Sequence, residues 1–245
     1  MGILTAAPPR RIARERLDQP HLDDAELRAN LKDLERLNRL FGGTAAVLAK
    51  FRRMAGALGS RGRITVLDAG TGGADIPRAL VRWGRRTGLR VEVLACDRHE
   101  RILKAAAESS AAYPEISFRC GDVLELPLER ESVDVALCTL AAHHLTEDEV
   151  VALFRKLKDA ARVGFIFTDL RRGRVARAGV WLATRVLSRN GLTRHDGPLS
   201  VERAYTLEEL RRLADAAGCE EMRLRPAPLF RVTGALTKRS LHAEA

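Results

Sequence analysis

The sequence predicts an α/β fold in which a doubly wound, mostly parallel sheet carries helices on both faces. Short apolar runs rich in β-branched residues alternate with amphipathic stretches of about 10–15 residues, which is typical of strands joined by crossover helices. The first of these runs, residues 64–70, ends in an acid and leads into a glycine-rich turn. With 245 residues, 46% of them hydrophobic and 30% charged, the chain is large enough for one substantial core.

The N-terminal part of the chain precedes this alternation. Its first 20 residues are rich in proline and arginine, and we expect them to be loosely ordered. Leucines spaced by three or four residues predict an amphipathic helix that begins near Asp23 and ends at Gly42, and a second helix follows it. We therefore predict an N-terminal tail and helical cap over residues 1–59 and a main domain over residues 60–245.

The alternating region ends near residue 170. The strands expected within it cover residues 64–70, 91–97, 115–122, 132–144 and 163–170. Beyond them we expect a basic, apolar helix at about 175–188, a polar loop at 188–205 and a helix that begins after Thr206. The final segment reads as two strands joined by a proline-containing turn. We predict that the insertion at about 171–205 forms a helical lid.

Charge and cysteine content restrict the function classes. The formal net charge is +10, and 36 of the 42 basic residues are arginines, since only six are lysines. These arginines are scattered over nearly every segment, so we do not expect nucleic acid as the partner. No apolar run approaches the ~20 residues that a membrane span requires. None of the four cysteines forms a C-x-x-C pair, which excludes a zinc knuckle and favours a reduced, cytoplasmic protein.

A glycine-rich turn follows the first predicted strand within the segment VLDAGTGGAD, residues 66–75. Gly70 and Gly72 allow a sharp turn and the close approach of a ligand to the backbone. The segment does not match the dinucleotide fingerprint, because Asp75 stands where glycine or alanine is needed, and it lacks the lysine of a P-loop. A tight turn alone would explain the glycines but not the acidic Asp68 before them.

Acidic residues stand at the ends of three successive predicted strands. Asp68 would repel a diphosphate but attract a cationic amino group. Asp97, at the end of the next strand, is placed to accept hydrogen bonds from ribose hydroxyls. Asp122 follows the third strand, where a carboxylate can meet an adenine amino group, although it could equally cap the following turn. The three positions together predict a ligand that carries an amine, a ribose and an adenine.

The segments DAGTGG, ACD, GDV and DVALCTLAAHH occur in this order between residues 60 and 170. Together they resemble the motifs of the class I S-adenosylmethionine-dependent methyltransferases. The segments DLERLNRLFGG, DLRRG and RHDGPLSVERAY also resemble a bacterial group of small-molecule methyltransferases found near polyketide biosynthesis. The resemblance implies a Rossmann-like sheet of seven strands, the last antiparallel, and S-adenosylmethionine as cofactor, with S-adenosylhomocysteine as product. The cofactor residues that it implies are Asp68, Gly70, Thr71, Gly72, Asp97, Arg98, Asp122, Val123, Thr139 and Leu140.

Three histidines are the candidate catalytic residues. His143 and His144 follow the fourth strand, where one can pack while the other caps the next helix, or where one can take a proton from the acceptor. His195 lies beside Asp196 in the loop bounded by glycine and proline, and it either belongs to an ordinary polar turn or contacts the substrate. The sequence shows no acid–histidine cluster with metal-ligand spacing, so no metal site is expected.

We therefore predict a methyltransferase that acts on an O or C atom of a small aromatic, polyketide or quinone-like acceptor, as a monomer or homodimer. An RNA methyltransferase is one alternative; the positive charge favours it, but no Asn/Asp-Pro-Pro-Tyr motif follows the fourth strand. A cofactor-bound protein that does not methylate, or a binding module without catalysis, is another. The helix that carries Arg174, Arg177 and Arg185 is either a lid or a membrane-surface helix.

Overall fold

The seven strands found in the described part of the chain form one mixed sheet. A computed structural model describes residues 7–19, 22–58 and 62–238. The sheet order is β3-β2-β1-β4-β5-β7-β6; β1 to β5 are parallel, and β7 is antiparallel to both of its neighbours. The strands are β1 (Arg63–Ala69), β2 (Arg90–Asp97), β3 (Ile116–Cys120), β4 (Val133–Thr139), β5 (Ala161–Leu170), β6 (Arg225–Ala227) and β7 (Arg231–Thr237). The predicted fold class is confirmed.

Helices flank both faces of this sheet. They are α1 (Asp24–Leu40), α2 (Gly43–Ala57), α3 (Asp75–Thr87), α4 (Glu100–Ser109), α5 (Glu147–Ala160), α6 (Arg174–Leu187), α7 (Gly191–Arg203) and α8 (Leu207–Ala216). Asp23 caps α1, and capping boxes built on Thr146 and Thr206 begin α5 and α8. Within the described ranges, no helix is both long and apolar enough to cross a bilayer.

The two faces of the sheet carry separate apolar layers. On one face Phe154 of α5 packs between Phe165 and Phe167 of β5, with ring centroids 5.8 and 5.1 Å away. On the other face Phe51 of α2 meets Trp83 of α3 edge to face at 5.4 Å. Because β4 and β5 are covered on both sides, their sequences are apolar runs rather than alternating ones. This double layer holds the ends of the central strands rigidly in place.

The prediction of a polar loop at residues 188–205 is wrong, because Gly191–Arg203 within it form helix α7. The Asn190 side chain accepts a hydrogen bond from Thr193 N at 3.1 Å and begins the helix. Gly197 and Pro198 disfavour a helix in isolation, but the packing of α7 against α6 outweighs that preference. A Cβ built on Gly197 would lie 2.7 Å from Cγ2 of Thr184, so the glycine permits the two helices to pack closely.

The N-terminal tail is also more ordered than predicted. Residues 7–19, here called the strap, run across α7 and the end of β4. Arg10 Nη2 donates to the backbone oxygen of Leu145 at 2.6 Å, and its guanidinium lies 4.0 Å from the Tyr205 ring centroid. Asp196 accepts hydrogen bonds from the backbone N–H groups of Arg16 and Leu17, at 3.0 and 2.9 Å. Residues 1–6 lie outside the described part of the chain.

The fourth strand is shorter than the predicted 132–144. β4 ends at Thr139, and a short 3-10 helix, Ala142–His144, follows a turn at Leu140, whose φ is +55°. Leu140 N donates to the Thr168 backbone oxygen at 2.8 Å, which fixes the turn over the end of β5. The two adjacent histidines therefore lie above the sheet rather than within it. The division of the chain at residue 59 remains a prediction.

Candidate active site

A cavity of about 520 Å³ lies at the carboxyl ends of β1, β2 and β4. The sheet order reverses between β1 and β4, and such a reversal opens a crevice in doubly wound sheets. The strap, α1, α6, α7 and the turn between β6 and β7 enclose the side of the cavity away from the sheet. One space is thus bounded by strand ends on one side and by mainly apolar helices on the other.

The glycine turn, residues 70–73, forms one wall of this cavity. Gly70 has a φ of +73°, and a Cβ built on it would lie 2.6 Å from Cβ of Ala141. Gly72 has a φ of +51°, and a Cβ built there meets nothing within 4 Å. The first glycine is therefore required by packing, and the second leaves the turn open toward the cavity. The backbone here is accessible to a ligand, as the sequence predicted.

Asp68 is the most unusual acid of the site. Its side chain is 2% exposed; Oδ2 accepts the Thr71 hydroxyl at 2.7 Å, and Oδ1 has no hydrogen-bond partner among the described residues. Burial raises the pKa of Asp68 to about 7, the Thr71 hydrogen bond opposes this, and the charges of Asp75 and Asp97 add to it. A buried carboxylate oxygen without a partner fits a cationic ligand group such as an ammonium.

Asp97 connects the end of β2 to the glycine turn. Its Oδ2 accepts Gly72 N at 2.9 Å and its Oδ1 accepts His99 N at 3.1 Å. Burial alone would raise the pKa of Asp97, but these hydrogen bonds and the His99 ring lower it. The carboxylate is therefore ionised and keeps lone pairs free for further donors, which fits a pair of ribose hydroxyls.

The remaining residues assigned to the cofactor also border the cavity, so the structure brings all ten together. Asp122 Oδ1 accepts Leu124 N at 2.8 Å, so Asp122 both shapes its own turn and faces the ligand space. The Thr139 hydroxyl is buried and lacks a hydrogen-bond partner among the described residues, which leaves it available to a ligand. The contacts of these residues with a bound molecule remain a prediction.

His143 lies in the cavity wall as part of a buried hydrogen-bonded pair. The side chain of Asp169, at the end of β5, accepts His143 N at 3.0 Å and lies 2.7 Å from His143 Nδ1. The other ring nitrogen, Nε2, lies 3.7 Å from Glu15 Oε1 of the strap. Burial alone would lower the pKa of His143, but the charge and hydrogen bond of Asp169, with the charge of Glu15, raise it.

Neither acidic partner of His143, Asp169 or Glu15, was predicted from the sequence. Asp169 was available as a further acid at a strand end, within the predicted strand 163–170. Glu15 could not be found this way, because only the folded strap brings it to the site. Glu15 Oε1 also accepts the Ser200 hydroxyl at 2.7 Å, which ties the strap to α7 above the histidine.

The other two candidate histidines differ in position. His144 borders the cavity, its ring lies 4.3 Å from the His143 ring, and its Nε2 lies 3.8 Å from Glu15 Oε2. His195 does not border the cavity; its side chain is 41% exposed on α7, with Nδ1 2.7 Å from Asp196. The geometry therefore supports His143 and His144 as site residues and does not support His195.

Glu15, His143 and His144 bring three potential metal-ligand atoms within 4.8 Å of one another. The sequence spacing could not reveal this cluster, since Glu15 comes from the strap. A basic residue lies next to it: Arg203 Nε donates to the His143 backbone oxygen at 3.3 Å, and Nη1 lies 3.8 Å from Asp18. A guanidinium here opposes a further cation, and the expectation of no metal stays a prediction.

The sequence of this central region matches a known family. Residues 66–164 match the family described as "Methyltransferase domain". An uncharacterized methyltransferase-like protein of Schizosaccharomyces pombe is 29% identical over 105 residues, which cover 42% of this chain and 37% of that protein. The alignment thus spans little more than a third of the length of the curated relative.

Solved structures share the fold over most of the chain. A SAM-dependent methyltransferase from Aquifex aeolicus is 20% identical, with 89% of this chain and 99% of that one covered and a TM-score of 0.58. The plantazolicin methyltransferase BamL is 12% identical, with 88% and 97% covered and a TM-score of 0.61. Human N-acetylserotonin methyltransferase is 15% identical, with 88% and 56% covered and a TM-score of 0.58. The chain is therefore similar in sequence to a methyltransferase domain over residues 66–164 and shares the fold of S-adenosylmethionine-dependent methyltransferases, in agreement with the motifs in its sequence.

Proposed function

We propose that this protein transfers a methyl group from S-adenosylmethionine to an O or C atom of a small aromatic, polyketide or quinone-like acceptor. One observation carries the proposal: a single cavity joins the glycine turn and its acids to the buried pair His143–Asp169. Reactants held in one enclosed space are aligned with each other and shielded from water. Methyl transfer depends mainly on this alignment and exclusion of water.

When bound, S-adenosylmethionine supplies a methyl group on a sulfonium, which is already activated and carries its own leaving group. The unpartnered Oδ1 of Asp68 would pair with the ammonium of the cofactor, and Asp97 would accept from its ribose hydroxyls. The open backbone at Gly72 would let the cofactor lie against the turn. These three residues fix the position of the cofactor, and the chemistry on the acceptor falls to others.

We assign to His143 the removal of a proton from the acceptor. Because Nδ1 shares a hydrogen bond with the ionised Asp169, we assign the ring proton to Nδ1, which leaves Nε2 as the proton acceptor. A phenol or enol hydroxyl that gives its proton to Nε2 becomes the nucleophile, and the imidazolium so formed is stabilised by Asp169 and Glu15. For a C-methylation the same proton transfer from an enol places electron density on carbon.

The acceptor side of the cavity favours an apolar ring. This part of the space is bordered by Leu34 and Leu37 of α1, by Phe41 directly after that helix, and by Val180 and Ala183 of α6. A flat apolar ring buries its faces well against such walls, whereas an RNA strand needs an open, basic groove for its phosphates. The strap lies across this side of the cavity, which supports a small acceptor over a nucleic acid.

The test uses methyl-labelled S-adenosylmethionine and a panel of phenols, polyketide-like enols and quinols. The wild type should label at least one of them, and His143→Ala should reduce single-turnover rate about 10²–10⁴-fold while leaving cofactor affinity unchanged. His195→Ala is the matched control, since this histidine lies outside the cavity, and it should react at the wild-type rate. Cofactor binding without labelling of any small acceptor, or labelling of RNA instead, would overturn the proposal.

A further inference from the structure

The side of α6 that points away from the cavity has an unusual composition. Val175, Leu182 and Val186 are 72, 56 and 72% exposed, and Trp181 is exposed beside them. These apolar side chains recur at helical spacing and share one side of the helix. We call this surface, residues 175, 178, 181, 182, 185 and 186 together with Arg189 just beyond the helix, the outer face of α6. Apolar side chains so exposed on one helix indicate a contact with something other than water.

The charged residues of the outer face of α6 are all positive. α6 contains no acidic residue; Arg185 stands among its exposed apolar side chains, and the exposed Arg189 follows the end of the helix. The Arg185 guanidinium lies 4.1 Å from the Trp181 ring centroid, so it covers an aromatic face rather than an acid. Arg36, Arg189 and Arg194 border a shallow depression next to Val186, in which Asp33 is the one acid among the described residues.

This combination matches the chemistry of an anionic bilayer better than that of a second copy. Valine, leucine and tryptophan enter the boundary between headgroups and acyl chains, while arginines meet lipid phosphates at the same depth. A two-fold contact between two copies would instead bring like-charged arginines close together. A water-soluble polyanion such as RNA would satisfy the arginines but would leave the valines and Leu182 without an apolar partner.

The inner side of the same helix borders the cavity. Gly179, Val180, Ala183 and Thr184 line it, so the helix separates the outer face from the acceptor space by its own thickness. The rim of the cavity adds Leu34 of α1 and Leu229 of the turn between β6 and β7, which are partly exposed and apolar. An apolar molecule that leaves a bilayer at this helix would find an apolar route into the cavity.

We propose that the outer face of α6 docks this protein on an anionic lipid bilayer, from which an apolar acceptor enters the cavity. The case for docking comes from α6 alone, whereas the source of the acceptor rests on the proposed function. Docking on a bilayer narrows the expected acceptor to a ring that carries a hydrocarbon substituent and is dissolved in the bilayer.

The test is co-sedimentation of the purified full chain with vesicles of phosphatidylcholine alone or mixed in equal parts with phosphatidylglycerol. The wild type should bind the mixed vesicles and bind phosphatidylcholine alone far more weakly. Leu182→Glu/Val186→Glu and Arg185→Gln/Arg189→Gln should each lower binding about tenfold or more, as expected for two groups at the lipid surface. Affinity for S-adenosylmethionine, measured on each variant, verifies that the cavity is intact.

The matched control is Arg52→Gln/Arg53→Gln on α2, which changes the net charge by the same amount. Arg53 lies near Thr237, which pairs with Gly164 at the amino end of β5, so it is at the opposite edge of the sheet from the cavity. The control should bind vesicles like the wild type. Equal loss in control and test variants, no binding to mixed vesicles, or a dimer that Leu182→Glu/Val186→Glu abolishes would overturn the docking proposal.

The experiment also separates docking from the proposed function. Methylation of a water-soluble phenol in the absence of vesicles should be equal in Leu182→Glu/Val186→Glu and the wild type. If vesicles bind but no acceptor is ever methylated, the proposed function fails and docking stands. If a water-soluble acceptor is methylated but vesicles do not bind, docking fails and the proposed function stands.

Discussion

The ionisation of Asp68 should control cofactor binding near neutral pH. Its carboxylate must be charged to pair with an ammonium, yet burial raises its pKa to about 7 in the ligand-free protein. Below pH 7 the cofactor must therefore displace a proton, and its affinity should fall as the pH falls. This direction follows from linkage, because the ligand binds the deprotonated form preferentially.

The size of the effect follows from that pKa. At pH 7 about half of the Asp68 side chains are protonated, so binding should release about half a proton; at pH 6 about nine tenths are protonated and release approaches one. Affinity should fall about fivefold between pH 7 and pH 6 and about tenfold for each further unit. The ligand ammonium itself stays charged over this range.

The assay is calorimetric titration with S-adenosylmethionine from pH 5.5 to 7.5 in buffers of different ionisation enthalpy. Thr71→Val removes the hydroxyl that donates to Oδ2 of Asp68 at 2.7 Å, so it should raise the pKa of Asp68 further and move the affinity profile to higher pH. Asp68→Asn should bind weakly and without this proton release. Wild-type affinity that does not vary with pH, or equal proton release in Asp68→Asn, would show that Asp68 is not the group that loses a proton when the cofactor binds.

Changes to the proposed base, to the strap and to the availability of metal ions should each have a distinct effect. Asp169→Asn should lower the pKa of His143, because Asp169 raises it, and so move the rising limb of the pH–rate profile to lower pH while reducing the maximal rate. Asp196→Ala removes the acceptor of the Arg16 and Leu17 N–H groups; it should raise KM for the acceptor, lower Tm and leave cofactor affinity nearly unchanged. A chelator should leave turnover unchanged; loss restored by one divalent ion would contradict this and would make Glu15, His143 and His144 the candidate ligands.

The parts of the site that local sequence determines were predictable. The turn at Gly70 follows directly from the strand before it, and the acids Asp68 and Asp97 stand at strand ends that a parallel sheet must bring to one edge. The family resemblance carried by the motifs implied a sheet of seven strands with the last one antiparallel. The observed sheet has seven strands among the described residues, and β7 is antiparallel to its neighbours. In these elements the local pattern and the tertiary structure demand the same conformation.

The parts that depend on long-range contacts were not predictable. Helix α7 carries Gly197 and Pro198, which locally favour a loop. The close packing of Gly197 against Thr184 of α6 is a long-range contact that the local sequence does not reveal. The strap looks disordered by composition, yet hydrogen bonds from Arg10 and to Asp196 hold it across the cavity. His195 was a candidate because it was predicted to lie in a loop over the site. In the structure it lies on helix α7 and does not border the cavity.

Calorimetric titration of the cofactor into Asp97→Ala tests whether the acids at the strand ends hold S-adenosylmethionine. The wild type should bind with micromolar-class affinity, and the variant should bind about 10- to 100-fold more weakly, because it loses a charge-assisted acceptor for the ribose. Asp148→Ala, an exposed acid in the first turn of α5, is the control and should bind like the wild type. Equal affinity in Asp97→Ala and the wild type would show that Asp97 does not hold the cofactor.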